Sequence, residues 1–216
     1  MEITWYGHSC FRLTQRRMIT VVTDPYDPQR VGLPPLKLKA DVVTVSHDAA
    51  GHNYVKAVKG VRHILTGPGE YEIGGVFITA IRTDGKGKKA TGPRNTLFLF
   101  DYEGVTVAHL GNIRRVPSQS EIEALGTVHV ALVPVGGGNA LTASQAAEVI
   151  SVLEPAVVIP MHYKIPGSTM QLAPVDRFLK EMGVEKATPM PSFKITPSSI
   201  PQELQVVVLQ NANTPT

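Results

Sequence analysis

The sequence predicts an α/β protein in which β-sheets pack against each other and helices cover them on the outside. Two observations indicate this fold class. In the first half of the chain, short runs rich in β-branched residues recur between turn residues, which is typical of β-strands. From about residue 117, segments with helix-start signals alternate with apolar runs of strand length. A strand-rich half followed by an alternating half therefore indicates packed sheets with outer helices.

The apolar runs predict strands along the whole chain. In the first half they lie at Glu2–Tyr6, Met18–Thr23, Asp41–Val45, Val61–Thr66, Val76–Ile81, Asn95–Phe100 and Val105–His109. Two later strands are expected at Ala156–Ile159 and at about Leu204–Leu209.

The first helix is predicted to follow Pro117. Ser118 and Glu121 have the spacing of a capping box, and Gly126 is a helix stop. Another helix is expected over about Pro174–Met182.

The helix between these two is predicted at Leu141–Leu153. Thr142 or Ser144 is expected to cap its start, and Pro155 ends it. Its apolar face consists of Ala146, Ala147, Val149, Ile150 and Leu153.

Length and composition indicate a single domain. The chain has 216 residues, of which 43% are hydrophobic, and this is enough to bury a core. We expect one domain over residues 1–209 and a mobile tail over residues 210–216. Cys10 is the only cysteine, so an internal disulfide is excluded and a buried thiol is expected.

The sequence favours a cytoplasmic protein without a membrane segment. No apolar stretch approaches the roughly 20 residues that are needed to cross a bilayer, and the N-terminus MEITWYGH is typical of a strand. The net charge of +3 is too small for this chain length to identify a partner, so the local distribution of charge matters more.

Histidines stand at several predicted strand ends. His47 and His162 each follow an apolar run, and His109 ends one. Strand ends and the loops after them present polar groups from a rigid sheet into a shared cleft. A composite site from distant segments is therefore expected, whereas His63 and His129 are interpreted as structural residues.

Seven segments occur in an order that carries a resemblance to a known family. They are GHSCFRL, TDPY, SHDAAGH, PGEYEIGGV, NTLFLFDYEGVTVAHLGN, LVPVGGGN and VIPMHYKIPG. Together they resemble metallo-β-lactamase-fold proteins, in particular metal-dependent hydrolases similar to L-ascorbate-6-phosphate lactonase. The resemblance covers about Met1 to Gly183. It implies a four-layer αββα sandwich with an active site at one edge of the two sheets.

The family's metal motif, His-x-His-x-Asp-His, falls on the SHDAAGH segment. It runs from His47 through Ala49 and Gly51 to His52, so two of its four ligand positions lack a ligand side chain.

The remaining ligand positions are also altered. A further family histidine falls near Thr83 or Asp84, and the bridging aspartate falls on Asn112. The last family histidine falls on His162. The resemblance therefore leaves three histidines as candidate ligands, namely His47, His52 and His162.

These substitutions predict a degraded metal site. Carboxylates both fill a coordination shell and cancel the charge of the ion, and an asparagine amide is a weaker, neutral replacement. We expect no tightly bound cofactor and a non-hydrolytic or weakly active protein. The alternative is a mononuclear metal-dependent hydrolase with one zinc or manganese ion on His47, His52 and His162, with Asn112 and Asp84 as further candidate ligands.

Basic residues cluster near the altered positions. They are Lys86, Lys88, Lys89, Arg94, Arg114 and Arg115. Such a cluster could bind a small anionic ligand, phosphorylated or carboxylated, without an ion, or it could be a solvated basic loop. Nucleic-acid binding is a second alternative, although no aromatic-interleaved basic patch occurs.

Overall fold

The structure is a computed structural model that describes residues 1–83 and 94–213. Fifteen strands and four α-helices follow one another along these residues. In chain order the strands are β1 (Glu2–Trp5), β2 (Phe11–Thr14), β3 (Val21–Thr23), β4 (Leu38–Lys39), β5 (Val42–Thr44), β6 (Val58–Lys59), β7 (His63–Leu65), β8 (Gly69–Ile73), β9 (Val76–Arg82), β10 (Thr96–Tyr102), β11 (Val105–His109), β12 (Val130–Pro134), β13 (Val157–Met161), β14 (Phe193–Lys194) and β15 (Gln205–Val206). The helices are α1 (Pro28–Val31), α2 (Gln119–Leu125), α3 (Ala143–Leu153) and α4 (Val175–Glu181).

The strands form two large mixed sheets. The first has the order β14-β1-β2-β3-β5-β7, and β3, β5 and β7 run parallel. The second has the order β15-β13-β12-β11-β10-β9-β8, and β11, β12, β13 and β15 run parallel. A small parallel pair, β4 and β6, lies in the connections of the first sheet. Buried apolar residues of both sheets belong to one core cluster.

All predicted strands are present, although β15 is shorter than expected. Sequence reasoning missed β2, β8 and β12 as well as short strands of two residues. The residues of β12 are all buried, so they lack the alternation that marks a half-exposed strand. In β8 two glutamates alternate with half-buried residues, and the flanking glycines resemble a turn.

The three predicted helices are confirmed. In α2, Ser118 and Glu121 form the expected capping box and Gly126 follows the last turn. In α3 the cap is Thr142 rather than Ser144, and a capping box is completed by Gln145. The one-turn helix α1 was not predicted.

Two smaller expectations concern Cys10 and the C-terminal tail. Cys10 is fully buried, as predicted. In the tail, the amide of Ala212 donates to the carbonyl of Trp5 (2.9 Å), and Nδ2 of Asn213 donates to the hydroxyl of Tyr26 (2.8 Å). Residues 214–216 lie outside the described part of the chain. None of the described helices has the length and apolar character that crossing a bilayer requires.

Candidate metal centre

Polar residues gather where strands of both sheets end. Asp24 follows β3, His47 and His52 follow β5, Asn112 follows β11 and His162 follows β13. The carboxyl ends of parallel strands meet at one edge of a sheet, which is where α/β proteins place their ligands. One further histidine, His8, reaches this edge from the turn between β1 and β2.

All of these residues except Asp24 line a cavity of about 350 Å³. Its polar lining includes the four histidines His8, His47, His52 and His162 together with Asn112. Ala49 and Gly51, the altered motif positions, also line it. The predicted candidates His47, His52, His162 and Asn112 are thus brought to one place.

Three buried histidines form one group. The Nε2 atoms of His8 and His52 are 3.1 Å apart, and the ring centroids of His8 and His162 are 4.4 Å apart. One ligand atom from each of His8, His52 and His162 lies within 4.8 Å of the other two. These distances suit imidazoles that converge on one ion.

A second group joins His52 to Asp24 and His47. Oδ2 of Asp24 accepts hydrogen bonds from Nδ1 of His52 (2.8 Å) and from Oγ of Ser46 (2.5 Å), while Oδ1 accepts from the amide of Ser46 (2.7 Å). Burial raises the pKa of the Asp24 carboxyl, but His109 and the hydrogen bonds from His52 and Ser46 outweigh it and lower the pKa to about 2. Asp24 is therefore an ionised acceptor.

This carboxylate fixes the orientation of His52. Since an ionised Asp24 can only accept, Nδ1 of His52 must carry the proton, and its Nε2 presents a lone pair towards His8 and the cavity. A carboxylate behind a histidine is the usual outer partner of a metal ligand. Asp24 thus orients His52, and its oxygens accept three hydrogen bonds in all.

The imidazoles of His8, His47 and His162 are held in the neutral form. Burial, and then the neighbouring histidines, lower the pKa of His8 well below its usual value. Burial and His52 lower the pKa of His47 to about 4 and that of His162 to about 3. Neutral imidazoles are the form that binds metal ions.

Two buried polar atoms at the cavity lack hydrogen-bond partners. Within residues 1–83 and 94–213, nothing bonds to Nδ1 of His162 or to Oδ1 of Asn112. Buried polar groups in native proteins are nearly always paired, so each orphan calls for an explanation. An ion in the cavity would supply a partner for the His162 nitrogen, and the residues present therefore fit the metal that the resemblance implies.

Backbone strain concentrates at the same place. His8, Asp24 and His162 have φ angles of 52°, 39° and 53°. Few non-glycine residues adopt this left-handed region, and such residues cluster at functional sites. The carbonyl of His8 accepts hydrogen bonds from the amide of His162 (3.0 Å) and from Nε1 of Trp5 (3.1 Å). These bonds lock the strained turn against β13.

His109 lies behind the site as a structural residue. Its Nε2 donates to the carbonyl of Ser9 (2.9 Å), and its Nδ1 accepts from the amide of Gly111 (3.2 Å). Both ring nitrogens are thus used, and His109 does not line the cavity.

The predicted basic cluster is described only in part. Its residues Lys86, Lys88 and Lys89 lie outside the described residues, as does the candidate metal ligand Asp84. Arg114 and Arg115 are both exposed, and Arg115 binds Glu121 through two hydrogen bonds of 2.7 and 2.8 Å. Arg94 lines a second cavity of about 420 Å³ together with Arg82 and His47.

Sequence reasoning missed His8 and Asp24 as site residues. Each directly follows or lies near the end of a predicted strand, Glu2–Tyr6 and Met18–Thr23. The rule that pointed to His47 and His162 would have found both residues if it had been applied to every predicted strand.

The two packed sheets and the histidine-lined edge define a protein of the metallo-β-lactamase class. A family model described as the beta-lactamase superfamily domain matches residues 2–162. The chain therefore belongs to the β-lactamase superfamily, and the predicted αββα fold class is confirmed.

Similar proteins place it in a branch of metal-dependent hydrolases. A UPF0173 protein of Pyrococcus furiosus is 29% identical over 209 residues, covering 84% of this chain and 90% of that protein. A UPF0173 metal-dependent hydrolase of Thermoplasma acidophilum is 28% identical over 193 residues, covering 76% of this chain and 83% of that protein.

A solved structure gives the same result. A Thermotoga maritima protein, described as a candidate Zn-dependent hydrolase of the metallo-β-lactamase superfamily, is 36% identical with a TM-score of 0.77. The match covers 97% of this chain and 98% of that protein. The relatives and the histidine groups favour the alternative of a bound metal ion over the expectation of none.

Proposed function

We propose that the chain is a metal-dependent hydrolase that works with a single divalent ion in the histidine-lined cavity. Nδ1 of His162, buried without a partner, carries this proposal. His52 supports it because the Asp24 carboxylate directs its Nε2 lone pair into the same space. His52 and His162 are two of the proposed ligands, and a third imidazole comes from His8 or His47.

The side chains around the cavity support one ion rather than two. Ala49 and Gly51 offer no donor, and Asn112 offers a neutral amide in place of a carboxylate. The oxygens of Asp24 already accept from Ser46 and His52. A pair of adjacent divalent ions needs bridging anionic ligands to offset its charge, and none of the described side chains in the cavity supplies one.

The ion would supply Lewis-acid chemistry, acidifying a water molecule and polarising the bond to be hydrolysed. The protein's own groups would bind and orient the substrate. Nδ1 of His47 donates to Oγ of Ser46 (3.0 Å), which leaves the lone pair of its Nε2 free to accept a hydrogen bond from the substrate. The amide of Asn112 lies where it can hydrogen-bond a substrate oxygen. The cavity volume of about 350 Å³ suits a small molecule.

Metal content and chelator-sensitive hydrolysis test this function. Protein purified without chelator should carry or take up one Zn²⁺ ion per chain, measured by elemental analysis. Hydrolysis of small esters, lactones and phosphoesters should stop with chelator and return with metal. His52→Ala should lose both properties, whereas His63→Ala should keep them because His63 is exposed on β7. Two tight ions per chain, or none in excess Zn²⁺, would contradict the proposal.

A second candidate function is metal-free binding of a small anion. Its support is the second cavity, where Arg82 and Arg94 lie near His47. Arginine side chains bind phosphate and carboxylate groups well. Phosphate should then raise the melting temperature of the wild type and of Arg177→Gln, a change on the distant helix α4, but not that of Arg94→Gln. A response to a single-stranded oligonucleotide alone would favour nucleic-acid binding instead.

A further inference from the structure

The imidazole of His8 occupies the space beside Gly51. A Cβ atom built on Gly51 would lie 2.9 Å from Nε2 of His8, a distance that real Cβ atoms essentially never show. In the motif implied by the resemblance, residue 51 is an aspartate whose carboxylate reaches the ion. In the observed geometry, an aspartate at this position and His8 would compete for the same space.

The position of His8 suits a ligand. Zinc–nitrogen bonds of about 2.0–2.1 Å in a tetrahedral site place two nitrogens about 3.3 Å apart. The Nε2 atoms of His8 and His52 are 3.1 Å apart, and both residues are buried. Without an ion, Nε2 of His8 must donate to the lone pair of His52, so a bound ion would replace a single hydrogen bond.

We infer that His8 is the third protein ligand of the ion, beside His52 and His162, and that it stands in for the motif side chains missing at Ala49 and Gly51. This inference rests on the proposed function. It moves one ligand from the loop after β5 to the turn between β1 and β2. His47 is left as a neighbour, since it groups with Asp24 and His52 rather than with His162.

The ligand set also selects the class of metal. Three neutral imidazoles provide nitrogen donors without charge, and an open fourth position is typical of catalytic zinc sites. Manganese and magnesium favour carboxylate and other oxygen ligands. The site should therefore take Zn²⁺ or Co²⁺ and should bind Mn²⁺ and Mg²⁺ poorly.

The backbone decides which substitutions test this assignment. His8 has a φ angle of 52°, and asparagine tolerates this region better than alanine. His8→Asn therefore removes the imidazole with the least strain. Gly51→Ala is the complementary change, because it keeps all three histidines but brings a methyl group against Nε2 of His8. Gly51 does not have a positive φ angle, so its backbone accepts alanine.

Zinc affinity, measured by competition with a chromophoric chelator, is the readout. Relative to wild type, His8→Asn should weaken zinc binding by more than the roughly 10- to 100-fold that loss of an outer-sphere partner costs. Gly51→Ala should also lower the zinc affinity. His63→Ala, a change at an exposed residue, should leave the zinc affinity unchanged. The visible spectrum of the Co²⁺-loaded protein should change in His8→Asn, and circular dichroism confirms that each variant is folded.

The outcomes separate this inference from the proposed function. If wild type binds one zinc ion and His8→Asn binds it equally well, His8 is not a ligand, although the single-ion proposal stands. If His47→Ala abolishes binding while His8→Asn does not, His47 is the third ligand. If wild type binds no zinc, both the ligand assignment and the proposed function fail.

Discussion

His162 is positioned by a glycine that follows the neighbouring strand. Gly136 follows β12, and its amide donates to the carbonyl of His162 (3.1 Å). A Cβ atom on Gly136 would lie 2.2 Å from that carbonyl oxygen and 2.8 Å from Cα of Tyr163. The close approach of two backbones, rather than an unusual φ angle, therefore requires glycine here.

We expect Gly136→Ala to destabilise the protein and to displace His162. The colliding atoms belong to the backbone, so no side-chain rotation relieves the contact, and overpacking of this kind typically costs about 1–3 kcal/mol. Urea unfolding and zinc affinity measure the two effects. Gly67→Ala is the matched control, since an added Cβ there meets nothing within 4 Å. Equal stability of the two variants would contradict this role of Gly136.

At the residue scale the sequence predicted the locations of several site residues better than their interactions. Strand ends and the family motif pointed to His47, His52 and His162, and all of them line the cavity. The same sequence cannot show that His8 fills the space beside Gly51, because this contact depends on how the turn after β1 folds across the sheet edge. Loss of motif side chains therefore indicated a degraded site, whereas the structure places the buried imidazole of His8 beside Gly51.

At the element scale, local signals predicted the structure well. The capping spacings of Ser118 and Thr142 depend on residues three positions apart, and both capping boxes are present. The strand β12 was missed because its neighbours on both sides and on both faces bury every residue. That burial is a property of the assembled sheet, which no local pattern records.

Helix α3 provides a test of its cap. The side chain of Thr142 accepts a hydrogen bond from the amide of Gln145, so Thr142→Ala should destabilise the protein by about 1 kcal/mol. Ser144, the other predicted cap, is exposed within the first turn. Ser144→Ala should therefore change stability by less than about 0.5 kcal/mol. Urea unfolding distinguishes the two variants if the m-value is unchanged. A larger loss of stability in Ser144→Ala than in Thr142→Ala would show that the cap is misassigned.

At the scale of the whole molecule, both sheets contribute histidines to one cavity. Folding brings together His8 from the first turn, His47 and His52 from the loop after β5, and His162 after β13. For His8, His47 and His162, burial and the neighbouring histidines both lower the pKa. The global fold thereby creates a proton-linked stability that no single segment has.

The stability of the chelator-treated protein should fall on acidification from about pH 6.5 to about pH 4. The pKa values of His47 and His162 are lowered to about 4 and about 3, whereas unfolded histidine titrates near 6.5. Between these values the unfolded chain binds protons that the folded chain excludes. Stability is therefore fully present above the unfolded pKa and is lost as the pH falls, by about 1.4 kcal/mol per pH unit for each histidine that stays neutral.

The carboxylate of Asp24 acts in a separate and lower window. Its pKa is lowered from 3.8 to about 2, so the stability that it contributes is lost only as the pH falls through that range. Urea unfolding at a series of pH values measures both windows. In His8→Asn the free energy of unfolding should change less steeply with pH between pH 6.5 and pH 4, because one of the neutral imidazoles is gone. The loss of stability at lower pH, which Asp24 causes, should be unchanged. Stability that is constant between pH 7 and pH 5 would mean that the histidines are charged or solvated in the folded protein. This result would contradict the conclusion that the cluster holds neutral imidazoles able to bind a metal ion.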